Sequence, residues 1–84
     1  LYTDYISLDK IHWINKFKPF KNLECLVQIR HRHKPVKCNI ECNKTFKVTF
    51  DKKIRGVAPG QSAVFYKDNL CLGGGVIEAR NNDL

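Results

Sequence analysis

Three successive segments of this chain alternate apolar and polar residues with period two, and no other feature limits the fold as much. From Leu23 to His31, the residues Leu23, Cys25, Val27 and Ile29 share one face, while Glu24, Gln28 and Arg30 take the other. From Val36 to Cys42, the residues Val36, Cys38, Ile40 and Cys42 alternate with Lys37, Asn39 and Glu41. From Thr45 to Phe50, the residues Phe46, Val48 and Phe50 alternate with Lys47 and Thr49. A pleated strand sends successive side chains to opposite faces, so this is the period of strands buried on one side. No stretch carries an amphipathic helical period.

Turn chemistry separates the segments. Asn43-Lys44 fits a two-residue hairpin turn, and Asp51-Lys52-Lys53 reads as a second turn. Pro59-Gly60 suits a type II bend, with proline presetting φ and glycine accepting a positive one. Further strands are expected at Ile11–Ile14, Ile54–Ala58, Ser62–Lys67, Leu70–Leu72 and Val76–Ala79, with Asp68-Asn69 as a tight turn. The expected fold is all-β, a small antiparallel barrel of about six strands, closed so that its sheet edges are protected. Val27, Ile29, Ile40, Val48, Phe50 and Phe65 are expected to point inward.

At 84 residues the chain is one small domain with a thin stability margin. Residues 1–10 read as a linker from an upstream domain, 11–80 as the barrel and 81–84 as a tail. The sequence contains no Met, so a piece of a longer protein is expected. It shows no secretory pattern and no apolar run long enough for a membrane span, which predicts a cytoplasmic protein with reduced thiols.

The net charge is +7 and the pI near 9.4. Such a surplus on a small surface points to an anionic partner, nucleic acid first. The charge is densest in Arg30-His31-Arg32-His33-Lys34-Pro35-Val36-Lys37, where one strand ends, turns and the next begins. Arg30, Arg32, His33, Lys34 and Lys37 are therefore the candidate RNA-binding residues, with Lys16 and Lys18 as seconds. Trp13, Phe17 and Phe20 interleave aromatic rings with that second group, a pattern suited to looped or single-stranded RNA. The plain alternative is a solvated basic turn with a few buried anchors such as Trp13.

Cys25, Cys38, Cys42 and Cys71 raise the question of zinc. Cys38 and Cys42 sit on one face of a strand, some ~13 Å apart, too far to share an ion. Small buried hydrophobes explain the inward cysteines better, so no metal site is expected. Cys71, beside glycines and without a basic neighbour, reads as structural. Gly73-Gly74-Gly75 leads into strand-like Val76-Ile77, not a helix, so it marks a bulge or barrel corner where backbones pack closely. No nucleophile, base and orienter arrangement is present, and no catalytic residue is assigned.

The run Arg55-Gly56-Val57-Ala58-Pro59-Gly60-Gln61-Ser62-Ala63-Val64-Phe65-Tyr66 closely resembles the C-terminal signature of tRNA-specific 2-thiouridylases, and Cys71-Leu72-Gly73-Gly74-Gly75-Val76-Ile77 continues it in order. Ile29 to Pro35 and His12-Trp13-Ile14 are similar to two further segments of that family. The resemblance implies a barrel similar to those of translation elongation factors. It also implies a parent enzyme in which ATP, with Mg2+, activates the wobble uridine and a cysteine persulfide delivers sulfur. The ATP loop and both catalytic cysteines would lie in missing N-terminal and central domains, leaving this fragment without cofactor or catalysis. The implied partners are tRNA, those domains and a sulfur-carrier protein. A protein-docking or purely structural module of the same enzyme is the alternative.

Overall fold

The computed structural model describes residues 2–17, 19, 21–29 and 33–83. Eight strands appear in chain order: β1 (Tyr2–Leu8), β2 (His12–Trp13), β3 (Asn22–Gln28), β4 (Val36–Cys42), β5 (Phe46–Arg55), β6 (Ser62–Lys67), β7 (Leu70–Val76) and β8 (Ala79–Arg80). The only helical pieces among the described residues are the 3-10 turns Ile14–Lys16 and Asn81–Asp83. All pairings are antiparallel, in the order β2-β7-β6-β3-β4-β5-β1-β8. The sheet curls into a half-barrel around one core.

Where the alternation was clean, the strands follow it. β4 and β6 coincide with the expected segments, and Val27, Ile40, Val48, Phe50 and Phe65 are buried. Ile29 is partly buried against the same core. Cys42 pairs with Phe46, so the β4–β5 reversal spans Asn43 to Thr45. Asn43 N–H donates to Thr45 O at 3.1 Å across that three-residue loop. Asp68 and Asn69 both have positive φ, 51° and 68°, as a primed hairpin turn requires. At Pro59-Gly60 the bend is closed by Gln61 N–H donating to Ala58 O at 3.3 Å, with Gly60 at φ 90°. The Gln61 carboxamide reinforces it by accepting from Ala58 N–H at 2.9 Å.

Two expectations are corrected. Residues 2–8 are not a linker but β1, hydrogen-bonded between β5 and β8, with Ile6 and Leu8 fully buried. Nor do Asp51-Lys52-Lys53 reverse the chain: β5 runs on to Arg55. The two corrections share a cause. Tyr5 pairs with Thr49 and Thr3 with Ile54, so Phe50 to Lys53 face Asp4 alone. This bulge breaks period two on both strands, burying Thr3 as well as Ile6 and exposing Asp51, Lys52 and Lys53 together.

Beside the bulge, the C-terminal segment bonds β1. Asn81 Oδ1 accepts from Asp4 N–H at 2.7 Å and from Tyr5 N–H at 3.2 Å. Thr3 Oγ1 donates to Asn82 Oδ1 at 3.2 Å. Arg80 orders the turn by pairing with Asp83 at 2.7 Å and donating to Val57 O. The guanidinium holds the Asp83 carboxyl below its usual range. Residues 81–83, expected as part of a tail, thus belong to the sheet's scaffolding. Asn81→Ala removes the acceptor of two backbone donors, one of them exposed, so a loss of about 0.5–1.5 kcal/mol is expected. A thermal melt checks this, since ~1 kcal/mol moves the midpoint of so small a domain by about 4–8 °C.

The glycine triplet falls inside β7 and forms the expected close approach. A Cβ on Gly73 would stand 2.2 Å from His12 O, and one on Gly75 2.4 Å from Lys10 O. The chain around β2 therefore lies directly on β7. Gly73→Ala cannot be absorbed by a side-chain adjustment, because the obstacle is backbone. It is expected to cost about 1–3 kcal/mol or more. Gly60→Ala meets nothing within 4 Å and carries only the left-handed penalty of about 1–2 kcal/mol. Paired denaturation curves showing Gly73→Ala no less stable than Gly60→Ala would refute this reading of the triplet.

Candidate nucleic-acid interface

Strand register decides which charges meet. β4 starts at Val36, and its ladder with β5 matches Cys38 to Phe50 and Cys42 to Phe46. β5 therefore runs toward its Arg55 end where β4 begins. Lys34 lies just before β4 and Lys37 near its start, and Lys52, Lys53 and Arg55 lie at the end of β5. All five are exposed and lie toward one end of the sheet. Tyr2, 59% exposed, pairs with Arg55 at that end. Among the described residues the one ion pair is Arg80–Asp83, so none of these five cations is neutralised in a salt bridge with a described carboxylate.

The candidate residues divide accordingly. His33, Lys34 and Lys37 are exposed, and His33 O accepts from the Gln28 side chain at 2.7 Å, tying the connection to the end of β3. Arg30, Arg32 and Lys18 lie outside the described residues, as do His31 and Phe20. Lys16 is exposed but separate. β2 pairs His12 with Gly74 and Trp13 with Gly73, so the chain leaves β2 toward the Leu70 end of β7, away from Lys34. Lys52, Lys53 and Arg55 were missed because residues 51–53 looked like a turn. The adjacent pair Lys52-Lys53 and Arg55 were visible as charge, but their place beside Lys34 depends on register.

The aromatic residues take another role. The Trp13 ring lies 5.6 Å from Phe17, 6.1 Å from Phe46 and 6.4 Å from Phe65, centroid to centroid. Trp13 and Phe17 are packed on the core. These two are core anchors, as the plain alternative had Trp13; Phe20 lies outside the described residues.

The remaining chemistry is sparse. A cleft of about 610 Å³ is lined by residues that include Cys25, Cys38, Lys37, Lys67, Glu24 and Asp51. Its lining carries both signs of charge, Glu24 and Asp51 as well as Lys37 and Lys67. No group of three or more His, Cys, Asp or Glu side chains among the described residues could hold a metal. Cys71, read as structural, is exposed. ATP does not fit the glycine triplet, which lies within a strand and opens no helix N-terminus. No helix among the described residues is long and apolar enough to cross a membrane.

Comparison with known proteins accounts for nearly the whole chain. The aminomethyltransferase beta-barrel domain family model matches residues 3–77. The tRNA-specific 2-thiouridylase MnmA of Idiomarina loihiensis is 39% identical over 99% of this chain and 23% of its own length. The Aeromonas salmonicida protein of the same name is 40% identical over 95% of this chain and 22% of its own. That of Buchnera aphidicola is 46% identical over 86% of this chain and 20% of its own. The chain thus spans only about a fifth of the length of these relatives. It belongs to the aminomethyltransferase β-barrel domain family and corresponds to the C-terminal portion of tRNA-specific 2-thiouridylases.

Proposed function

We propose that this chain is the tRNA-holding C-terminal barrel of an ATP-dependent tRNA 2-thiouridylase that thiolates the wobble uridine, and that it is itself non-catalytic. The observation that carries the reading is the gathering of Lys34, Lys37, Lys52, Lys53 and Arg55 toward one end of the sheet, with no described carboxylate pairing them. Arg30 and Arg32 belong to the same β3–β4 connection in sequence. Such an array suits a phosphate backbone: it positions the nucleic acid without reading its bases. The name of the relatives supplies tRNA as the nucleic acid.

In this reading ATP and Mg2+ act in other domains of the parent chain, the work is cytoplasmic, and sulfur reaches the uridine from a carrier protein. The barrel contributes affinity and orientation only. Incubating the 84-residue chain with tRNA, ATP and a sulfur donor should therefore yield no 2-thiouridine by nucleoside mass spectrometry. Thiolation by the chain alone would refute the non-catalytic half of the proposal.

The binding half is tested in the full-length enzyme. Lys34→Ala/Lys37→Ala should weaken tRNA binding broadly, whatever the tRNA. It should also flatten the plot of log affinity against log salt by about one unit of slope for each phosphate that no longer meets a lysine. The melting curve should hardly move, because exposed charges contribute only about 0–1 kcal/mol. Unchanged affinity and slope in the folded double variant would remove this end of the barrel from the tRNA interface. Salt-sensitive binding of an acidic carrier protein, abolished in the same variant, would make it a docking module instead.

A further inference from the structure

β3 and β4 place Cys25 and Cys38 directly opposite each other. Facing residues of an antiparallel pair have Cα atoms about 4.5 or 5.5 Å apart, depending on the hydrogen-bonding position. Both values lie within the ~4.4–6.8 Å that a disulfide can span without backbone movement. The two sulfurs are already 3.7 Å apart, and both thiols are free. Nothing in the proposed function uses them.

The surroundings make the pair chemically unequal and set it, buried as both side chains are, against the cleft. Both cysteines contribute to the wall of the cleft, together with Lys67. The Lys67 ammonium donates to Glu24 O at 3.1 Å, next to Cys25. The hydrogen bond between the two sulfurs holds Cys25 below its ordinary pKa against the opposing effect of burial, and Lys67 adds to the lowering. The same hydrogen bond and its own burial push Cys38 up. Cys25 is therefore the more acidic thiol of the pair, with Cys38 beside it. A lowered pKa with a resolving thiol at hand is what thiol–disulfide exchange requires.

We propose that Cys25 and Cys38 form a dithiol modification site that reacts with low-molecular-weight disulfides and closes to a cross-strand bridge. The Cys25 thiolate attacks one sulfur of the small disulfide, forming a mixed disulfide and expelling a thiolate. That thiolate takes the proton from Cys38. Cys38 then attacks the Cys25 sulfur, expelling the second small thiolate, which takes a proton from water or buffer. The protein is oxidised by two electrons, and the small disulfide is reduced to two thiols. Cys42 is half-buried on the same strand, its thiol raised mainly by burial, and Cys71 is exposed across the sheet on β7.

Since the two residues are already in register, the bridge forms within the native barrel. It locks the β3–β4 hairpin whose connection, residues 29–35, carries the basic run.

The test treats the folded 84-residue chain with glutathione disulfide, quenches in acid, alkylates under denaturing conditions and maps the peptides. The expected product has lost two hydrogens, joins the Cys25 and Cys38 peptides and leaves Cys42 alkylated. Cys38→Ala should stop at glutathionylated Cys25. Phenylarsine oxide, which needs two neighbouring thiols, gives a readout that requires no variant. It should bind one equivalent per wild-type chain and protect Cys25 and Cys38 from alkylation. Alkylation of both cysteines after either treatment, or a bridge from Cys25 to Cys42, would overturn the proposal.

Discussion

The barrel depends on Trp13 reaching across it. Trp13 sits on a two-residue strand at one end of the sheet order, yet its ring packs against Phe46 of β5, on the far side of β7, β6, β3 and β4. Only a strongly curled sheet allows that contact. Gly73 lets the His12 backbone lie where a side chain would otherwise stand. With β2 seated so closely, the half-buried indole packs against the core beside Phe65 and Phe17. An aromatic residue buries a large apolar area, and in so small a domain one such anchor weighs heavily.

On the opposite side, curvature comes from the β5 bulge. Three exposed residues in succession would be an awkward strand if every backbone group had to find a cross-strand partner. Asn81 braces the β1 side of the bulge by bonding the Asp4 and Tyr5 amides. The same irregularity exposes Lys52 and Lys53 near the start of β4. Charge presentation and chain bending are thus two results of one local insertion in the ladder.

The sequence revealed most where a strand kept one phase throughout its length. β4 and β6 do so, and their inward residues could be named individually. β1 does not, because burial shifts from Thr3 to Ile6 across the bulge, and a strand whose phase changes midway shows no period. The charged residues were equally plain, but their grouping was not. Lys16 and Lys34 look like members of one basic surface in the linear chain, and register sends them to different ends. Cys25 and Cys38 read correctly as inward residues; that their sulfurs touch depends on the alignment of β3 with β4. Pairing offsets are set by turns and bulges, which the alternation of side chains does not encode.

The sheet terminates in β2 and β8, each two residues long. An edge strand normally offers a row of unpaired amides and carbonyls on which another chain can add a strand. Here that template is too short to hold a partner in register, and β8 runs directly into the Asn81–Asp83 turn that folds back on β1. The consequence is colloidal: neither terminal strand is long enough to serve another copy as a docking edge.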